Sequence, residues 1–120
     1  MSVNLDLNAE DTQALYDAVN LTIVDNKSGT SQSKVVKKLA HLRQLRDRLY
    51  AHKVDRLSKS DWEAILFALN YSRRFHSHAV HMCELHNVDP NDSDYIDLVN
   101  NFTRLTNLLQ RLSESVTSGI

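Results

Sequence analysis

A nine-residue stretch, LRDRLYAHK at positions 45–53, concentrates the side chains that are best suited to chemistry. It holds two guanidinium groups, a carboxylate, a phenol and an imidazole, on Arg46, Arg48, Asp47, Tyr50 and His52. Histidine exchanges a proton near neutral pH, and arginine grips a phosphate with two parallel hydrogen bonds. Such a set suits cleavage of an RNA phosphodiester: the imidazole assists attack by the 2′-hydroxyl or protonates the leaving oxygen, and an arginine stabilises the phosphoryl oxygens. This chemistry needs neither a metal nor a cofactor, and we predict none.

The spacing of these residues limits how one chain could use them. Arg48 and His52 are four apart and share a face of an unbroken helix. Arg46 and His52 are six apart, which separates them by roughly 120° around the axis. Both reach one phosphate only if the helix ends near Ala51 or a second copy of the chain completes the site. The structural alternative is a surface helix with an Arg–Asp network and a histidine near its C-terminus, where the helix dipole favours it.

Helical periodicity organises the whole chain. Of its 120 residues only two are glycine and one is proline, whereas a β-rich protein needs many tight turns. Four amphipathic segments are separated by short polar breaks, the last of which contains Pro90. We predict a single all-α domain over residues 1–120, an up-and-down bundle of four helices. The first three segments cover residues 8–26, 33–53 and 61–87, and Asp92 or Ser93 caps the fourth.

Two details of the third and fourth helices are specific enough to test. Ser60 with Glu63 has the spacing of a capping box at the start of the third helix. The residues predicted to face inward from that helix are Trp62, Ile65, Leu66, Leu69, Ala79, Met82 and Cys83. An apolar seam with two positions per heptad runs along the fourth helix. It consists of Tyr95, Leu98, Phe102, Leu105, Leu109, Leu112 and Val116.

Composition narrows the class of protein. No apolar run approaches the roughly 20 residues that span a bilayer, and the start MSVNLDLNAE is unlike a secretory signal. The one cysteine, Cys83, has no partner within the chain, which is typical of a cytoplasmic protein. Charge is polarised: residues 34–59 carry nine bases and two acids, whereas residues 1–26 carry five acids and no base. The basic segment could attract RNA, or it could simply complement acidic neighbouring helices.

The stretch from Leu39 through Asp55, LAHLRQLRDRLYAHKVD, resembles the signature of the HEPN superfamily and is most similar to its abortive-infection U-type branch. The signature is an arginine, a polar residue and, four to six residues after the arginine, a histidine; Arg46, Asp47 and His52 match it. The resemblance implies a metal-independent endoribonuclease, such as a toxin or antiphage effector, whose composite site forms in a homodimer. We therefore predict Arg46, Asp47 and His52 as catalytic, and add Arg48, Tyr50 and Lys53 from local chemistry as RNA- or phosphate-binding residues.

Other interpretations stay open. Some HEPN proteins are binding or scaffold modules, so the alternative is a non-catalytic interaction module that binds a nucleotidyltransferase-like or other protein partner. The third helix carries four histidines, His76, His78, His81 and His86, but the set lacks a second cysteine or an evident carboxylate for zinc. The predicted burial of Cys83 argues against a nucleophilic role, because reactive thiols need exposure and a cationic neighbourhood.

Overall fold

The computed structural model describes residues 7–26, 33–51 and 57–118, with side chains for all of these except residues 33–36 and 117–118. Within these residues four helices follow one another, and each packs against the next. Their bounds are α1 Ala9–Asp25, α2 Ser33–Tyr50, α3 Lys59–Leu85 and α4 Ser93–Ser118. The predicted all-α, four-helix bundle is therefore confirmed. Among the described residues, no helix is both long and apolar enough to cross a membrane.

The core fills the half of the bundle where all four helices meet. Trp62 is completely buried, as are Leu15, Leu42 and Leu112, so each helix contributes at least one enclosed side chain. Leu45 and Leu49 are both buried, as predicted for the core face of α2. Burying a leucine or isoleucine side chain stabilises a fold by about 1.5–3 kcal/mol, so this shared core is the main force that holds the helices together.

Both α1 and α3 begin with a capping box. Asn8 and Asp11 exchange side-chain to backbone hydrogen bonds at the start of α1, and Ser58 and Asp61 do the same at the start of α3. The predicted Ser60–Glu63 box is wrong, because the serine two residues earlier has the extended backbone that an N-cap needs. Helix α3 consequently begins at Lys59, and Ser60 lies in its first turn.

The connection between α3 and α4 is a tight turn with its own hydrogen bonds. Asn87 has a φ of 56°, in the left-handed region that ends many helices. The N–H groups of Asn87 and Val88 donate to the carbonyls of Glu84 and Cys83, at 3.2 and 3.0 Å. This Schellman motif stops α3 before Pro90. Asp92 then caps α4, as predicted, because its Oδ1 accepts from the N–H groups of Asp94 and Tyr95.

Helices α3 and α4 extend beyond the other pair as a projecting hairpin. No residue between Ser72 and Leu105 is buried. The prediction that Met82 faces inward is wrong, since its side chain is 37% exposed; Cys83 and Ala79 are half-buried. The reason is length: the inward stripe of α3 continues past the point where α1 can cover it. We call residues 73–104 the hairpin tip.

Candidate functional site

The predicted catalytic stretch lies where α2 ends. Regular helix stops at Tyr50, and Ala51 closes the last turn with an N–H to the carbonyl of Asp47 at 3.1 Å. Asp47 is exposed. His52 and Lys53 lie outside the described residues, so their catalytic and phosphate-binding roles stay predictions. Helix α2 ends two residues before His52, near the position that the six-residue spacing requires.

Arg46 and Tyr50 turn toward α1. One guanidinium nitrogen of Arg46 donates to Oδ1 of Asn20 at 3.5 Å, which is a long and weak hydrogen bond. One turn further on, the ring of Tyr50 lies against Tyr16 with 5.6 Å between centroids and 54° between planes. Tyr50 remains 73% exposed despite this contact. On the face of α2 that meets α1, a guanidinium with only a weak hydrogen bond therefore lies beside an exposed aromatic ring.

Arg48 turns the other way, toward α3, where it meets Asp61. Its guanidinium lies 3.4 Å from Oδ2 of Asp61, and Nε2 of His41 lies 2.7 Å from Oδ1 of the same carboxylate. Burial acts to raise the pKa of Asp61, but hydrogen bonds from the Ser58 backbone N–H and from His41 outweigh it and leave the pKa lowered. Arg46 and Arg48 of one chain therefore diverge, and Arg48 is already paired with a carboxylate.

The cluster of His41, Arg48 and Asp61 was not anticipated from the sequence. His41 and Arg48 are seven residues apart and so lie on one helical face, which is the signal that was available. Their partner could not be found by spacing, because it belongs to another helix and also completes a capping box. Lys37 and Lys38 stand beside His41 at a surface cavity of about 250 Å³. The ammonium of Lys38 lies 4.2 Å from the ring centroid of Phe67, so a cation–π contact also joins this lysine to α3.

A second cleft opens between α1, α3 and α4, away from the predicted catalytic stretch. Its volume is about 280 Å³, and its lining mixes apolar residues with Asp17, His76 and Arg104. Nδ1 of His76 lies 2.8 Å from the carbonyl of Ser72. Because a carbonyl only accepts, Nδ1 carries the proton, and Nε2 is the acceptor when the ring is neutral. The cleft is separate from the end of α2 and supplies none of the residues of the motif.

The histidines of α3 do not assemble a metal site within the part of the chain that the structure describes. No group of three or more histidine, cysteine, aspartate or glutamate side chains there comes close enough to hold a metal ion. His78, His81 and His86 are exposed, and His76 is half-buried.

No family model, no curated protein and no solved structure matches this chain. Its function must therefore be argued from its own residues.

Proposed function

We propose that this chain is a metal-independent endoribonuclease of the HEPN type, with a composite site formed by two copies of the sequence around Arg46 and His52. The observation that supports the proposal most is the end of α2 at Tyr50. A helix that continued through His52 would hold Arg46 and His52 on different faces, and the described α2 ends two residues before His52. The basic α2 and the weakly held guanidinium of Arg46 add a suitable surface for a phosphate.

The proposed reaction is attack of a ribose 2′-oxygen on the adjacent phosphorus. The His52 imidazole of one copy accepts the 2′-hydroxyl proton while the new P–O2′ bond forms. The P–O5′ bond then breaks, and the departing 5′-oxygen takes a proton from the His52 imidazolium of the second copy. Arg46 stabilises the charge that develops on the non-bridging oxygens. The products are a 2′,3′-cyclic phosphate and a 5′-hydroxyl, with no water consumed and no metal required.

A homodimer is part of the proposal because one chain offers too few convergent groups. Arg46 and Arg48 of a single chain point to different neighbouring helices. Two copies of the α2 end, related by a two-fold axis, would supply two imidazoles and two Arg46 guanidinium groups to one cleft. The same pairing would place the exposed ring of Tyr50 at the edge of the cleft, where an RNA base can stack.

The test is cleavage of a fluorescent single-stranded RNA by purified protein with EDTA present. We expect the wild type to cleave and both Arg46→Ala and His52→Ala to lose at least about 100-fold in rate. Arg43→Ala is the matched control for charge, since Arg43 is exposed on α2 one turn earlier, and should retain most of the activity. Adding an excess of His52→Ala protein to the wild type should lower the rate below that of the wild type alone if the cleft is composite, because a mixed dimer keeps only one of the two imidazoles that the reaction uses. Wild-type protein without activity, or active His52→Ala protein, would contradict the proposal.

The second candidate function is a helical interaction module that binds a protein partner. It is favoured by the hairpin tip, where apolar side chains of α3 and α4 find no covering helix within the described chain. The predicted seam of α4 divides accordingly: Leu105, Leu112 and Val116 are buried in the core, whereas Leu98 and Phe102 are only half-buried. If the wild-type protein cleaves no RNA in the assay with EDTA and a partner binds at the hairpin tip, this function is favoured over the first.

A further inference from the structure

The hairpin tip presents apolar surface that the rest of the described chain leaves open. The hydroxyl of Tyr71 donates to Asp25, the last residue of α1, and α3 continues for fourteen residues beyond Tyr71 to Leu85. At 1.5 Å per residue this is an extension of about 21 Å. Twelve of the 32 residues of the tip are apolar and none is buried. Leu85 is 60% exposed and Ile96 is 42% exposed. Of the seven large apolar side chains that are exposed in the described chain, five lie in the tip, and such exposure is typical of an interaction site.

The shape of this surface suits a helix. Two antiparallel helices bury only one side of each other, and the seam between them here is half-buried, with Ala79 and Cys83 from α3 and Leu98 and Phe102 from α4. A third helix laid along that seam would cover it in the way that an amphipathic helix fills a groove. The tip offers no strand edge for an extended peptide, because its described backbone is helix and tight turn.

Charge identifies the chemistry of the occupant. The hairpin tip contains five acids and three arginines, a formal charge of −2 with the histidines neutral. The arginines are Arg73, Arg74 and Arg104, at the base of the tip beside the core, so the distal part, residues 75–103, carries five acids and neither lysine nor arginine. Asp94 and Asp97 are exposed beside the apolar residues of α4. A second copy docked tip to tip around a two-fold axis would bring these like charges together, which is unfavourable. A partner with lysines or arginines beside its apolar face would complement them.

Hydrogen bonds also order the turn at the end of the hairpin tip. The Schellman motif at Asn87 and the capping of α4 by Asp92 fix the connection, and Asn91 N–H donates to Oδ1 of Asp89 at 2.9 Å. A surface that is ordered before binding loses less conformational entropy when its partner arrives.

We infer that the hairpin tip binds a basic amphipathic helix of a partner protein. This inference rests on the second proposed function and is independent of RNA cleavage at the other end of the bundle. The partner's leucine-like side chains cover the seam between α3 and α4, while its basic residues face the aspartates of the tip. Binding should weaken as salt rises, because part of the attraction is between exposed charges.

The test uses the full chain and a fluorescein-labelled peptide of leucine and lysine, about four turns long and patterned as an amphipathic helix, with a leucine–glutamate peptide as the comparison. Fluorescence anisotropy should show that the chain binds the lysine peptide and does not bind the glutamate peptide. The double variant Met82→Ser with Leu98→Ser should weaken binding of the lysine peptide by at least about tenfold, since Leu98 lies in the seam and Met82 is one turn from Ala79 and 37% exposed. Val24→Ser is the matched control, since Val24 is an exposed apolar residue on α1, and should bind like the wild type.

A second pair of variants isolates charge. Asp94→Asn with Asp97→Asn should weaken binding at low salt and lose most of its effect at about 0.5 M salt, whereas Glu10→Gln with Glu63→Gln should leave binding unchanged. Hydrogen exchange of the wild-type complex should show protection of amides in residues 76–98. This measurement locates the peptide without any substitution.

Each contrary result has its own meaning. Equal binding of the glutamate peptide at the tip would overturn the basic character of the partner while leaving the interaction module intact. A wild-type dimer that the Met82→Ser, Leu98→Ser variant abolishes would overturn the inference, because a second copy would be the occupant. Absence of binding and of protection at the tip with both peptides would overturn the inference and the second proposed function together.

Discussion

Asp61 should contribute more to stability than any other carboxylate on the first turn of α3. Its oxygens accept from the Ser58 backbone N–H at 3.0 Å, and they pair with His41 and Arg48 of α2. Losing a helix cap costs about 0.5–2 kcal/mol, and each partly exposed ion pair contributes about 0.2–1 kcal/mol. We therefore expect Asp61→Ala to lower the free energy of unfolding by about 2 kcal/mol. With an unfolding entropy of about 250 cal/mol/K for a chain of this length, Tm should fall by about 8 °C.

The assay is thermal unfolding followed by the fluorescence of Trp62, the one tryptophan of the chain and a fully buried residue. Asp61→Asn keeps the size of the side chain and one acceptor oxygen, so it should lose only about half as much, namely the contribution of the charge. Glu63→Ala is the matched control, because Glu63 is an exposed acid on the same turn with only a 3.9 Å contact to Lys59. It should change the free energy of unfolding by less than about 0.5 kcal/mol.

The pH dependence gives an independent check. Because the pKa of Asp61 is lower in the folded state than its usual value of 3.8, the unfolded chain binds this proton first as pH falls. The stability that the charge provides is fully present above pH 3.8 and disappears as pH falls through the lower folded-state pKa. The difference between wild type and Asp61→Asn should therefore narrow between pH 5 and pH 3. A constant difference across that range, or equal losses from Asp61→Ala and Glu63→Ala, would refute the reasoning.

Three further predictions concern single contacts. Asn87→Ala should cost about 1 kcal/mol in urea unfolding, because alanine lacks the short polar side chain that lets asparagine adopt a left-handed backbone, whereas Asn87→Gly should cost nothing measurable, since glycine has no Cβ; equal losses would contradict this. Tyr71→Phe should lose about 1 kcal/mol at pH 7. Since the hydrogen bond to Asp25 and burial raise the pKa of Tyr71, that contribution is complete below pH 10.0 and is lost as pH rises through the folded-state pKa; a loss unchanged at higher pH would rule this out. Arg111→Ala should remove the 2.7 Å contact to Asp11, costing at most about 1 kcal/mol and less in high salt; thermal unfolding at two salt concentrations measures it, and a larger salt-independent loss would be inconsistent with an exposed ion pair.

Helix periodicity predicted most of the fold because it reports directly which side chains leave water. Leu45, Leu49 and Trp62 were all assigned to the core from spacing, and all three are buried. Periodicity failed at Met82 because the same stripe appears whether or not a covering helix is present. The point at which α1 stops covering the apolar stripe of α3 depends on the length of α1, and the sequence of α3 gives no information about that length.

Helix starts were harder to predict for a related reason. Ser58 and Ser60 both precede an acidic residue by three positions, so two capping boxes were compatible with the sequence. The choice between them is made by tertiary contacts: Asp61 also meets His41 and Arg48, and no local pattern encodes a partner on another helix. Such cross-helix pairs escape any prediction that considers one element at a time.

The candidate site was only partly accessible to sequence reasoning. The stretch around Arg46 was found from residue types and from a resemblance, and the end of α2 at Tyr50 agrees with the geometry that it requires. The opposite directions of Arg46 and Arg48 could not be foreseen, because each depends on the neighbouring helix that supplies its partner, Asn20 or Asp61.

The most direct test of the proposed ribonuclease is the chemistry of the RNA ends that it leaves. A single-stranded RNA should be incubated with wild-type protein in EDTA, and the fragments analysed by mass spectrometry beside those from His52→Ala. His81→Ala is the control for loss of an imidazole, since His81 is exposed on the hairpin tip. We predict 2′,3′-cyclic phosphate and 5′-hydroxyl ends from the wild type and His81→Ala, and none above background from His52→Ala. Intact RNA with the wild type, 5′-phosphate ends, or the same fragments from His52→Ala would contradict the proposed mechanism.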